Sequence, residues 1–224
     1  MTTSTVTQLF AKLSMWAGIA FIVLLTALHF LEPEFAPSWH FISEYQLGKF
    51  GWMMCAAFFS LGLSCISLCI ALWKQANLLG KAGLLMLLIA AAGMFLAAIN
   101  ITDPLNTPQA QWTKHGKLHQ QGATMDGIPI AAILIIIGII LKNQYWKYKK
   151  SLLIWATILV WAGMIVFIAA MVKYFPADRK FGPDVQLGWP NRVMIVTQAI
   201  WLIIMAELTT KNTNQHSDMK KLVA

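Results

Sequence analysis

Six long apolar runs constrain this 224-residue chain more than anything else in it. Roughly 20 apolar residues carry a helix across a bilayer. The runs fall at about 11–31, 51–73, 78–100, 120–141, 151–172 and 191–210. In hydrocarbon the backbone must satisfy its own polar groups, which favours helices over open strands. The chain is 58% hydrophobic and only 12% charged, about half the charge of a soluble domain. The expectation is a single all-α domain over 1–224, a six-helix polytopic bundle whose first partner is the lipid bilayer.

Charge placement predicts orientation. The loops after even-numbered runs, together with the termini, hold more of the lysines and arginines than the odd loops do. The densest basic cluster, Tyr145–Lys150, lies in a very short even loop, where the positive-inside rule applies best. Both termini are therefore expected in the cytoplasm. The net charge of +8 follows membrane topology and not a single polar face, which argues against nucleic acid. Cys55, Cys65 and Cys69 share the second run, so no disulfide framework is legible. The first run is too long for a signal-peptide core and is followed by no small-x-small site, so no cleavable leader is expected.

The odd loops, on the predicted outer side, gather the polar chemistry. They and the adjoining span ends hold His29, His40, His115 and His119, with Glu32, Glu44, Asp103 and Asp126 among the acids and Trp39, Trp112 and Trp189 as interfacial anchors. On a continuous helix His115, His119, Gly122 and Asp126 would form one stripe. Counting back from Leu141 sinks Asp126 about one turn into the membrane, and an ionisable residue there is a functional-site hypothesis by default. Its expected partner is Arg192, opening the sixth span. Together they would form either an interhelical bridge or the lining of a hydrated cavity, where the guanidinium fork suits a phosphate or carboxylate.

Other candidates carry simpler alternatives. Ser43 and Gln46 have capping-box spacing, so Ser43 is expected to cap the second span, leaving Glu44 free for a site. Asp103, beside Pro104, is a turn former or a ligand. His115 and His119 stand at the i, i+4 spacing that lets two imidazoles reach one zinc ion, although the glutamate of the His-Glu-x-x-His motif is missing. They equally suit a solvated helix end or a proton- or headgroup-handling site. Gly80, Gly83 and Gly93 in the third run predict close helix approach.

Ile42-Ser43-Glu44, the Asp103-Pro104 turn, the His115/His119 region and Asn191-Arg192 together resemble the bacterial and archaeal membrane proteins grouped as domain of unknown function 998 (DUF998). The resemblance covers nearly the whole chain and implies a six-helix integral protein of a prokaryotic plasma or inner membrane, with no established activity. The histidine pair with nearby aspartate and serine is also similar, more distantly, to membrane-embedded zinc hydrolases such as alkaline ceramidases and adiponectin receptors, in which the pair lies on the last span.

Three functions stay open at this point. An outward cavity of Glu44, Asp126 and Arg192, with Ser43 and Asp103, would bind or move a lipid headgroup or small anion. A zinc site at His115 and His119 would hydrolyse lipid amides or esters. A structural or accessory protein would use the same residues only to pin helices.

Overall fold

The computed structural model describes residues 3–177 and 180–223. Its helices are α1 (Thr3–Leu31), α2 (Gly51–Leu72), α3 (Leu78–Ile99), α4 (Lys114–Thr124), α5 (Ile128–Lys142), α6 (Gln144–Tyr148), α7 (Lys150–Tyr174) and α8 (Gly188–Val223). Short 3-10 turns lie at Ile42–Leu47 and Gln109–Gln111, and no strand occurs among the described residues. Taking α4 and α5 as one crossing, six spans are long and apolar enough for a membrane. An even number of crossings puts both termini at one end, the terminal end; the other is the distal end.

Each span packs beside its sequence neighbour, and α8 closes the ring against α1 and reaches α2. Buried Phe21, Leu61, Leu68, Leu84 and Trp201 fill the interior. Where α2 ends, Lys142 donates from Nζ to the carbonyls of Lys74 (2.8 Å) and Ala76 (3.0 Å), supplying donors to carbonyls that the helix end leaves without partners. Nearby, Trp146 and Asn212 both donate to Gln75 Oε1. Tyr145, between the spans, gives its hydroxyl to the Leu208 carbonyl, and burial pushes its phenol above the usual range.

The fourth span departs from expectation. The predicted continuous stripe from His115 to Asp126 is broken after Thr124. Met125 N–H turns back to the Gly122 carbonyl, Asp126 Oδ1 accepts from Ile128 N–H at 3.1 Å, and α5 restarts with Pro129 in its first turn. Proline lacks an N–H and its ring would clash with the carbonyl four residues back, so a helix cannot run straight through it at no cost. Residue 126 therefore belongs to a break and not to a helix face.

Helix α3 holds both halves of the broken span. A Cβ on Gly138 would lie 2.3 Å from Gly80 Cα, and a Cβ on Gly122 would lie 2.5 Å from the Gly93 carbonyl oxygen. Backbones touch at both places, as the expected small-residue contacts of the third span require. The two contacts are 13 residues apart on α3, about 20 Å at 1.5 Å per residue.

Candidate functional site

Arg192 lies one turn into α8, yet its side chain is only 4% exposed. The loop between α1 and α2 is laid over it: Gly188 N–H donates to the Ser38 carbonyl, and Asn191 Oδ1 accepts from Ile42 N–H. Arg192 Nε donates to His29 Nε2 at 2.8 Å and Nη2 to the Tyr45 hydroxyl at 3.0 Å. Nη1 is shared among the carbonyls of His40 (2.6 Å), Gly188 (3.1 Å) and Pro37 (3.3 Å). A guanidinium nitrogen can only donate, so His29 Nε2 accepts, and its Nδ1 carries the proton given to the Leu25 carbonyl at 2.7 Å. The Tyr45 and Trp189 rings lie 5.4 and 6.0 Å from the guanidinium carbon, within cation–π range. Every partner of this buried cation is neutral.

The Ile42–Leu47 turn ties the distal loops together. Glu44 is buried; its Oε2 accepts from His40 Nδ1 at 2.7 Å and its Oε1 from Leu105 N–H at 3.2 Å. Gln46 gives Nε2 to the Ala97 carbonyl and takes Thr102 N–H on Oε1. The expected capping box is therefore not formed. Ser43 sits inside the 3-10 turn, eight residues before α2 begins, and the glutamine is committed to α3 instead. The start of α2 is supplied from outside: Glu32, 1% exposed, accepts from Phe50 N–H through Oε1.

Asp103, His115 and His119 fasten α4 to the end of α3. Asp103 accepts from Thr113 N–H (2.8 Å) and from its hydroxyl (2.9 Å), while Thr113 Oγ1 caps α4 through Gly116 N–H. A carboxylate and a hydroxyl at a helix start satisfy its free N–H groups and its dipole. His115 Nδ1 meets Asn100 Oδ1 at 2.9 Å, and His119 Nδ1 donates to the carbonyls of Ala97 and Asn100. Among the described residues no three His, Cys, Asp or Glu side chains are grouped so as to hold a metal. The two histidines expected to share a zinc ion each spend one ring nitrogen on α3.

Asp126 and Arg192 do not meet. Asp126 Oδ2 accepts from Gln198 Nε2 at 2.7 Å. Gln198 stands six residues further along α8 than Arg192, about 9 Å deeper. The predicted cavity thus resolves into two places: a distal cluster at Arg192 and a deeper one at the break. Sequence reasoning put His29 on the outer side without a partner and left out Tyr45 and Asn100, although Tyr45 lies in the same Ser-Glu-Tyr-Gln motif. Thr26, one turn before His29, is exposed and bonds its own helix at Ile22.

Six apolar crossings with buried charge concentrated at one end define a polytopic helical membrane protein. The chain belongs to the family described as protein of unknown function (DUF998), whose model matches residues 15–207. No curated protein and no solved structure matches it.

Proposed function

We propose that the distal end is the working face of this protein and that it binds an anionic group, a lipid headgroup phosphate or a small anion, at Arg192. One observation carries the reading: a guanidinium 4% exposed whose neighbours are all neutral acceptors. A buried cation with no anion bonded to it, Glu44 acting on it only through space, favours an anion that reaches it. Nη1 spreads its two N–H groups over three carbonyls, so an incoming oxygen displaces the longest of them, Pro37, at least cost. Glu44 is engaged by His40 and Leu105 and makes no bond to the guanidinium. The lysine bias supports an outward distal end with both termini cytoplasmic, in a prokaryotic plasma membrane.

The competing reading, a purely structural Arg192 that pins the loop to α8, is favoured by the saturation of Nη1. Phospholipid retained by the purified protein separates the two. Arg192→Gln keeps donors but removes charge, and Arg192→Lys keeps charge but loses the fork. On the binding reading both variants, folded, lose retained anionic lipid about tenfold, the loss of one charge-assisted contact. Folded Arg192→Gln retaining anionic lipid like the parent protein would sink the proposal.

A further inference from the structure

The break in the fourth span holds acceptors that nothing in the protein answers. Asp126 carries two hydrogen bonds, from Ile128 N–H and from Gln198 Nε2, and no cation pairs with it among the described residues. Gln198 is 0% exposed, yet its Oε1 has no hydrogen-bond partner. Because the amide nitrogen of Gln198 is turned to the carboxylate, its oxygen is the other end of the same amide, one hydrogen bond and one amide width away at most. A buried acceptor left alone is costly, and a carboxylate has lone pairs to spare for further donors. What this place lacks is a positively charged donor.

The surroundings say what kind. Asp126 is only partly buried and Met125 beside it is 40% exposed, so the break is open at its edge even though Met125 Cβ rests against Gly93 of α3. Above it α4 exposes Lys117, Gln120, Gln121 and Thr124, a polar track from the distal surface. Below it an apolar groove of about 350 Å³ runs between α5 and α7, lined by Ile133, Ile136, Ile154, Ile158 and Trp161. Its Thr157 hydroxyl is already taken by Trp201, one turn from Gln198, and Trp161 bonds the Pro129 carbonyl, three residues past Asp126. A groove of this size is in the range of ligand pockets, and its nearest α5 residue, Ile133, stands about two turns along the span from Asp126.

We infer that the break at Asp126, with Gln198 and the α5–α7 groove, is a recessed site for an amine-bearing amphiphile: the ammonium meets Asp126 and Gln198 Oε1, and the chain lies along the groove. The observations are independent of the anion proposed at Arg192, and the charge preference is opposite. The occupant is a lipid-like amine and not a free cation, because a carboxylate without a cation stands about two turns along the span from an apolar groove, within the length of one alkyl chain.

Photolabelling of the full chain in nanodiscs of neutral choline lipid tests this. The probes are a twelve-carbon primary amine, the matching carboxylic acid and the matching alcohol, each with a diazirine near the chain end. The amine should label the α5–α7 groove saturably, and the acid and alcohol at least about tenfold less, the value of one charge-assisted contact. Asp126→Asn, which keeps the cap on Ile128, should lower amine labelling to the level of the alcohol. Ile158→Trp fills the groove without touching the break and should reduce labelling if Asp126→Asn yields no folded protein. Equal labelling by acid or alcohol, or parental labelling in either variant, overturns the site. Full competition by ammonium chloride at concentrations that leave bilayer partitioning unchanged overturns the amphiphile and leaves a small-cation site.

Discussion

Two of the charges inside this bundle, the buried Arg192 and the partly buried Asp126, are treated in opposite ways. Arg192 is enclosed by partners from α1, the following loop and its own helix, and each of its nitrogens is engaged. Asp126 sits deeper, in a helix break, with one polar side chain bonded to it, and that side chain leaves its own oxygen unanswered. At Arg192 the donors are engaged while the charge has no bonded anion, so the cluster both staples the loop and favours an anion; at Asp126 it is an acceptor that is left over. A buried polar network is stabilising only when every member is satisfied. The distal cluster is therefore expected to contribute to stability, and the break to detract from it.

The largest effect follows at Arg192. Arg192→Leu leaves His29 Nε2, the Tyr45 hydroxyl and the loop carbonyls without their donor. Each stranded group costs about 1–3 kcal/mol, although Tyr45 and the carbonyls can recover water at the loop edge. A loss of about 3 kcal/mol or more is expected, read as the drop in unfolding midpoint of the solubilised protein. A variant as stable as its parent would show that the staple contributes nothing and that the contrast with Asp126 is empty. Tyr45→Phe removes one contact of the same cluster and should cost about 1 kcal/mol, sharpening the comparison.

A smaller effect belongs to the rail that makes the break tolerable. Gly122→Leu drives a side chain into the α3 backbone at Gly93 and should destabilise by about 1–3 kcal/mol, as overpacking does. Leu at both 93 and 122 should cost less than the two single changes added, because they spoil one contact. Additive losses would mean that the two glycines serve separate neighbours.

These differences track what was legible in the sequence. Apolar run length gave the number and position of the spans, since the membrane imposes it, and Gly80, Gly83 and Gly93 announced their backbone contacts. The break was legible and was overridden: Asp126-Gly127-Ile128-Pro129 has a side-chain acceptor two residues before its N–H and a proline in the first turn, but the need for about 20 apolar residues favoured a continuous helix. Ser43 and Gln46 show the opposite failure, where a good local pattern lost to a distant partner, the Ala97 carbonyl. Most of the acceptors around Arg192 had no signal. Three of them are backbone carbonyls, at Pro37, His40 and Gly188, and every residue has one. Which carbonyl faces a guanidinium is decided by the path of the loop.

The finest test of the contrast is Asp126→Asn, the smallest change and the one of opposite sign. The asparagine oxygen keeps Ile128 N–H, so the restart of α5 survives. Its amide replaces the lost charge by turning the Gln198 amide over, which conserves one hydrogen bond and leaves one polar group unanswered, as before. What disappears is a carboxylate in the upper half of a span, where insertion scales charge up to about 2.5–3.5 kcal/mol at a helix centre. Part of that is already relieved by the existing bonds, so a gain of about 1 kcal/mol in stability is expected. Sites kept for binding are where a chain is less stable than it needs to be. An Asp126→Asn protein that melts later while losing the amine label would separate the two buried charges by sign as well as by size. One that melts earlier by as much as Arg192→Leu would make Asp126 a second staple, its unanswered neighbour notwithstanding.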